Sequence, residues 1–179
     1  MTPFVGVGRY VRSWARTQPD APAVELASGA VRTYRELDER STRLGHALLG
    51  LGAARGDRVG IWLGNCLEYL DVYLACAKAG LVVVPVNTRF TPAEADHVLG
   101  HAEVRALVYG SEVAERAEAL EHKPIFVAAD DLADLARAAS TQQLPDPHPD
   151  QLLILGYTSG TTGTPRAPNS PTVRSSASP

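Results

Sequence analysis

The sequence predicts an α/β fold, a mainly parallel and doubly wound sheet with flanking helices. Three observations predict it. Apolar residues alternate along the chain between helical spacing and short strand-like runs. From Arg58 onward those runs are separated by helical stretches of roughly 10 to 15 residues, the spacing of crossover connections between parallel strands. Residues 81–86 (LVVVPV) are continuously apolar, as a strand covered on both faces must be.

Each element has a local signal. Val7, Tyr10, Val11, Trp14 and Ala15 recur at helical spacing, and the pattern stops at Pro19-Asp20-Ala21-Pro22. Residues 23–27 and 31–34 flank Ser28-Gly29-Ala30, a hairpin signal. Thr33 with Glu36 three residues on forms a capping box, in which hydroxyl and carboxylate each take an orphan N–H at a helix start. Leu37, Leu44 and Leu48 line one face of that helix, and Gly50 or Gly52 ends it. Residues 58–63 then read as a strand, 67–79 as a helix and 81–86 as the buried strand. Thr91-Pro92-Ala93-Glu94 repeats the capping logic with proline at the first helical position, opening a helix to about Ala102. A strand over 105–109, a helix over 112–122, a strand over 124–128, a helix over 131–139 and a strand over 152–157 complete the series. Right-handed crossovers are expected between the parallel strands.

Composition narrows the functional classes. With 45% hydrophobic and 21% charged residues and a net charge of -3, the chain has the profile of a globular protein. It has no run of like charge to grip nucleic acid or an anionic membrane surface. The apolar run 81–86 is six residues long and contains Pro85, whereas a membrane span needs about 20, so no integral membrane segment is expected. Arg9, Arg12 and Arg16 interrupt the first apolar segment and leave no room for a signal-peptide core; a cytoplasmic location is expected. Cys66 and Cys76, ten apart in apolar surroundings, read as reduced core residues. Residues 1–166 read as the folded part and 140–151 as an internal Pro-rich linker loop. Residues 167–179 (APNSPTVRSSASP) read as a disordered Pro/Ser-rich tail that cannot bury enough apolar surface to order itself.

In doubly wound sheets ligands bind beyond the carboxyl ends of the strands, which directs attention to the segment after the last predicted strand. Residues 158–166 (TSGTTGTPR) carry two glycines, five hydroxyls and one fixed positive charge. Glycines let successive N–H groups converge on one point, hydroxyls add short-range donors, and a guanidinium meets a phosphate with a forked pair of hydrogen bonds. A polyphosphate site is the sharper reading and a Gly/Thr-rich surface linker the blander one. Two familiar phosphate loops do not fit: counting from Gly156 puts Thr161 where a P-loop has its second glycine, with no lysine after it, and Gly6-Val7-Gly8 has no strand before it.

Other groupings favour structural explanations. His97 and His101 share a helix face near Asp96 and Glu103, a possible zinc spacing, but no third ligand is placed convincingly and an exposed polar face explains them. Glu112, Glu115, Glu118 and Glu121 are interleaved with Arg116 and Lys123, as on a solvated helix face. His46, His122 and His148 are isolated, Trp62 and Tyr69 read as core, and Ser159 has no positioned base.

The segment YTSGTTGTPR at residues 157–166 resembles the signature phosphate loop of the AMP-forming acyl-CoA synthetase, luciferase and peptide-synthetase adenylation superfamily. Thr33-Tyr34-Arg35-Glu36-Leu37 resembles its TYxEL element, and residues 77–87 (AKAGLVVVPVN) its KAGxxxVPxN element. The similarity runs from about Val11 to Arg166. Residues 85–90 (PVNTRF) are more similar to acyl-CoA ligases than to peptide-synthetase modules, which usually carry Asp at the place of Asn87.

The resemblance implies the N-terminal part of an adenylate-forming large domain and a two-step reaction. A carboxylic acid, here expected to be a fatty acid, attacks the α-phosphate of ATP to give an acyl-adenylate, and coenzyme A then displaces AMP to form a thioester. ATP with Mg²⁺ and CoA are the implied cofactor and co-substrate. Thr158, Ser159, Gly160, Thr161, Thr162, Gly163, Thr164 and Arg166 are the residues it implies for holding the ATP phosphates. Arg166 stands where the family usually has Lys and Ala167 where it has Gly; guanidinium and ammonium are not interchangeable. The family's catalytic Lys, ribose-holding Asp and acidic Mg²⁺ residue lie in parts this sequence does not contain. The 179-residue chain is therefore expected to be inactive alone, as a frameshifted or prematurely ended product. The alternatives are a non-catalytic nucleotide-binding module, one that associates with a homologous enzyme, or a gene remnant.

Overall fold

The computed structural model describes residues 6–157. Helix α1 (Val7–Thr17) leads into a two-stranded antiparallel ribbon, β1 (Pro22–Glu25) and β2 (Val31–Thr33), and then α2 (Tyr34–Gly50). From there strands and helices alternate: β3 (Arg58–Trp62), α3 (Leu67–Ala79), β4 (Val82–Pro85), α4 (Pro92–His101), β5 (Val104–Tyr109), α5 (Ala114–Glu118), β6 (Ile125–Ala128) and α6 (Leu132–Ala138). The four later strands form one parallel sheet in the order β4-β3-β5-β6.

Side chains alternate across a pleated strand, and two cores result. Val59, Ile61, Val83, Val108 and Val127 face one cluster with Leu44 and Leu48 of α2, Val72 and Cys76 of α3, and Leu132 of α6. Trp62, Val84 and Leu107 face the other, with Val98 and Leu99 of α4 and Ala117 of α5. Helices cover both faces, as expected of a doubly wound sheet. The first crossover leaves β3 toward β4 and the next returns past β3 to β5, so the winding reverses between β3 and β5.

Both capping boxes form. Glu36 N–H donates to Thr33 Oγ1 (3.3 Å) and Thr33 N–H to Glu36 Oε2 (2.8 Å); Glu94 and Thr91 repeat the pattern at 3.4 and 2.8 Å. These bonds from Thr33 and Thr91 hold the two carboxyls below their ordinary value of 4.5. Since the folded pKa is the lower one, the caps contribute fully above pH 4.5 and the contribution is lost as pH falls through the depressed values. Amide protection factors over residues 34–38 and 93–96 are therefore expected to fall as pH drops below 4.5 while those of the central strands hold. An equal fall throughout the described residues would contradict this.

Three elements differ from the sequence expectation. The apolar stripe of α1 does not all face the body: Val11, Arg12 and Ala15 turn inward beside buried Gly8, while Val7, Tyr10 and Trp14 stay exposed. Gly8 sets this rotation, because a Cβ there would lie 2.8 Å from Lys78 Cγ; Trp14 instead stacks on Tyr34, with ring centroids 5.6 Å apart. The helix expected over 112–122 contracts to a 3₁₀ turn at Ser111–Val113 and a short α5. Its end is drawn out by Asp96, whose carboxylate accepts from Glu121 N–H and His122 N–H at 2.8 and 2.9 Å.

The strand expected over 152–157 is, among the described residues, a single parallel bridge between Ile154 and Val83. Val83 N–H donates to Leu153 O and Leu155 N–H to Val83 O, both at 2.8 Å. The flanking positions of β4 offer this segment no donor. Leu81 N–H is bonded to Cys76 O at the end of α3 (2.9 Å), where Gly80 adopts φ 71°, and Pro85 has no N–H.

A buried ion pair joins α2 to α3. Lys78 is 3% exposed, and its Nζ donates to Asp38 Oδ1 (2.6 Å), Asp38 O (2.7 Å) and Thr42 Oγ1 (3.0 Å).

Candidate functional site

The carboxyl ends of the parallel strands open onto two places. The first is the crevice where the winding reverses. It holds about 450 Å³ and is lined by Gly64, Asn65 and Cys66 after β3, Ser111 and Glu112 after β5, and Asp130 after β6. Glu112 crosses it: Oε1 accepts from Gly64 N–H at 2.9 Å, so a carboxylate of the chain itself occupies donors that an anionic ligand would use. Arg40, on its wall, bonds Asp71 Oδ2 at 2.7 Å, and Arg32 reaches the same oxygen at 3.0 Å. Burial still pushes the Asp71 carboxyl up, outweighing both guanidinium groups.

The second place is the carboxyl end of β4. Beyond Pro85 the chain turns through Asn87 to Phe90, with Asn87 Oδ1 accepting from Arg89 N–H (2.9 Å). Two side chains of other elements clamp the turn. Trp62 Nε1–H donates to Asn87 O (3.0 Å), and Arg116 Nη1 donates to Thr88 O (2.7 Å) and Phe90 O (2.9 Å). The Arg116 guanidinium also lies 5.5 Å from the Trp62 ring centroid, within cation–π range. On the outer side of β4 the bridged segment carries Leu155 and Tyr157 onto the rim of the second core. The Tyr157 hydroxyl lies 2.7 Å from His101 Nδ1, and burial pushes this phenol's pKa up.

Thr158, Ser159, Gly160, Thr161, Thr162, Gly163, Thr164 and Arg166, the residues expected to hold phosphate, lie outside the described residues, as does the expected tail over 167–179. Tyr157 is therefore the described residue that leads into the loop.

The other candidates are engaged elsewhere. The His97 and His101 rings stand 6.2 Å apart, but His101 meets Tyr157, Asp96 accepts from two backbone N–H groups, and Glu103 Oε2 accepts from Arg58 at 2.7 Å. Among the described residues no group of three or more His, Cys, Asp and Glu side chains could hold a metal ion, and none of their helices is long and apolar enough to cross a membrane. Both cysteines are free. Cys76 is buried, as expected of a core residue, and its thiol is pushed up to about 12. Cys66 instead sits half-buried as the residue before α3, its thiol raised mainly by that burial. The clamp of Trp62 and Arg116 and the contact of His101 with Tyr157 had no sequence signal, since their partners stand 25 to 56 positions away.

Solved structures share this architecture. The N-terminal domain of FACL13 from Mycobacterium tuberculosis, crystallised with a bound inhibitor, matches with TM-score 0.82 at 30% identity, covering 92% of this chain and 44% of that chain. The parallel sheet wound on both faces, with an apolar segment outside β4 that is followed in sequence by a Gly/Thr-rich string, defines the class as the N-terminal domain of adenylate-forming enzymes. The family model for AMP-binding enzyme matches residues 11–167, and the chain belongs to that family.

Among its relatives, the fatty acid–[acyl-carrier-protein] ligase ScoC of Streptomyces coeruleorubidus is 38% identical over 158 residues, covering 85% of this chain and 30% of ScoC. The long-chain-fatty-acid–CoA ligase FadD13 of Mycobacterium tuberculosis is 31% identical over 169 residues, 89% of this chain and 34% of FadD13. The chain thus spans about a third of the length of these relatives.

Proposed function

We propose that this chain supplies the ATP-phosphate-binding portion of an enzyme that activates a carboxylic acid, with a fatty acid as the substrate class. In the proposed reaction the acid displaces pyrophosphate from ATP to give an acyl-adenylate, and the thiol of CoA then displaces AMP to give the thioester. The observation that carries the reading is the sequence TSGTTGTPR directly after Tyr157, on a segment bridged to the outer side of β4. It is supported by the family match and by the fatty acid ligases among the relatives.

Loop backbone N–H groups and the hydroxyls of Thr158, Ser159, Thr161, Thr162 and Thr164 would hold the β- and γ-phosphates, with Gly160 and Gly163 allowing the close approach. Their donors would stabilise the charge that collects as pyrophosphate leaves. Arg166 would add a forked contact to a terminal phosphate. In this reading Mg²⁺ would neutralise part of the charge on the leaving phosphates, beside the loop's own donors. We propose the cytoplasm as the place where such an enzyme works.

Calorimetric titration of the 179-residue chain with ATP tests the loop assignment. Binding is expected, and Gly163→Val, which fills the space a phosphate would approach, is expected to weaken it at least tenfold. Equal affinity of the variant, or no binding by the parent chain, sinks the assignment. No exchange of labelled pyrophosphate into ATP is expected from this chain alone with a fatty acid present; acid-dependent exchange would overturn the expectation that it is inactive by itself.

A further inference from the structure

The segment that enters the loop leaves the sheet early. Its last backbone hydrogen bond among the described residues runs from Leu155 N–H to Val83 O, and Pro85, the next position on β4 facing this edge, has no hydrogen to donate. Tyr157, the residue before Thr158, is instead held by its side chain. Its ring packs against the second core, as Leu155 and Phe90 also do, and meets the His101 ring edge to face, with centroids 5.7 Å apart and planes at 88°. Its hydroxyl bonds His101 Nδ1 at 2.7 Å.

His101 is a fixed point. It is the last residue of α4, a helix whose start is set by Pro92 and the Thr91/Glu94 capping box and whose inner face, Ala95, Val98 and Leu99, is buried. With a neutral imidazole, Nδ1 accepts from the phenol.

The geometry points to His101 as a positioning residue for the phosphate loop: its imidazole holds Tyr157, and so fixes the backbone from which residues 158–164 depart. The inference rests on the reading that this loop binds the phosphates of ATP. Ordering loop residues on binding costs backbone entropy. An anchor at the residue before the loop removes part of that cost before the ligand arrives. The same arrangement could not be built by extending the bridge, because β4 lacks the donor.

Three variants of the full chain test it: His101→Ala, Tyr157→Phe and His101→Asn. His101 is exposed, so its replacement leaves the core untouched. Asn carries its amide oxygen on Cγ, as His carries Nδ1, and retains an acceptor near the same position. Amide exchange at residues 156–158 and calorimetric affinity for Mg-ATP are the readouts. His101→Ala and Tyr157→Phe are expected to speed exchange there and to weaken ATP about fivefold each, with His101→Asn near the parent in both. The double variant His101→Ala/Tyr157→Phe should be no worse than either single one, since the two remove halves of one bond. Unchanged exchange in His101→Ala, no rescue by His101→Asn, or losses that multiply in the double variant would overturn the inference. If the parent chain binds no ATP, the phosphate-loop reading falls, and the exchange comparison still decides whether His101 holds Tyr157.

Discussion

Lys78→Met is expected to destabilise the chain by about 3–5 kcal/mol, the usual cost of leaving one member of a buried ion pair alone. Methionine keeps most of the aliphatic stem that packs on Gly8, so the loss isolates the charge rather than a cavity. What remains is the Asp38 carboxylate, 8% exposed as a residue, without its cation. Lys78→Met combined with Asp38→Leu should recover most of the loss, because a hydrophobic pair of similar volume avoids desolvating two charges. Urea denaturation followed by circular dichroism measures both; a single-variant loss below about 1 kcal/mol would show that the pair is not buried in solution.

The same pair has a pH signature. Burial pushes the Lys78 ammonium below its ordinary 10.5, with Asp38 pulling it back. A base that binds its proton less tightly when folded disfavours the folded state where it must be protonated. Stability from this residue should therefore rise as pH climbs through the lowered value toward 10.5. Lys78→Met removes that slope.

Trp62→Ala is expected to cost about 3–5 kcal/mol. Trp62 is fully buried at the end of β3, and its loss leaves a cavity where α4 and α5 pack on the sheet. It also leaves Asn87 O without its donor and Arg116 without the ring beneath it. Trp62→Phe separates these effects: it keeps an aromatic body and removes the indole N–H, so it should cost only about 1–2 kcal/mol. Urea midpoints give both values. If Trp62→Phe proved as damaging as Trp62→Ala, the hydrogen bond to the Asn87 turn, and not the packing, would dominate.

Most of the framework was legible from local signals. The helix expected over 67–79 is α3, Leu67–Ala79, and both capping boxes form where Thr and Glu stand three apart. Residues 82–84 are buried, as a continuously apolar run requires. In the helices neighbours in sequence are the interacting partners, so spacing carries the information, and the buried strand is marked by its continuously apolar composition.

The misreadings share one cause. The helix over 112–122 is cut short by Asp96, which belongs to α4. The strand over 152–157 reduces to one bridge because Leu81 and Pro85, on another strand, supply no further donors. α1 turns its aromatic residues outward because Gly8 meets Lys78 of α3. Pairing and close approach across the fold set these outcomes, and local composition does not report on them.

The candidate site divides along the same line. The Gly/Thr string after Tyr157 and the family it resembles were readable in consecutive positions, and the family model matches over residues 11–167. The surroundings of that string were not. His101 read as part of an exposed polar helix face, and it is exposed, but its meeting with a tyrosine 56 positions away had no signal. Trp62 read simply as core, yet it also holds the turn at Asn87. Helix starts, strand character and the family's Gly/Thr string are written in residues a few positions apart, through backbone hydrogen bonding, periodicity and consecutive residue types. The winding order, the edge where the last segment lies and the side chains that hold it depend on contacts between distant residues, whose energies exist only once the chain has packed.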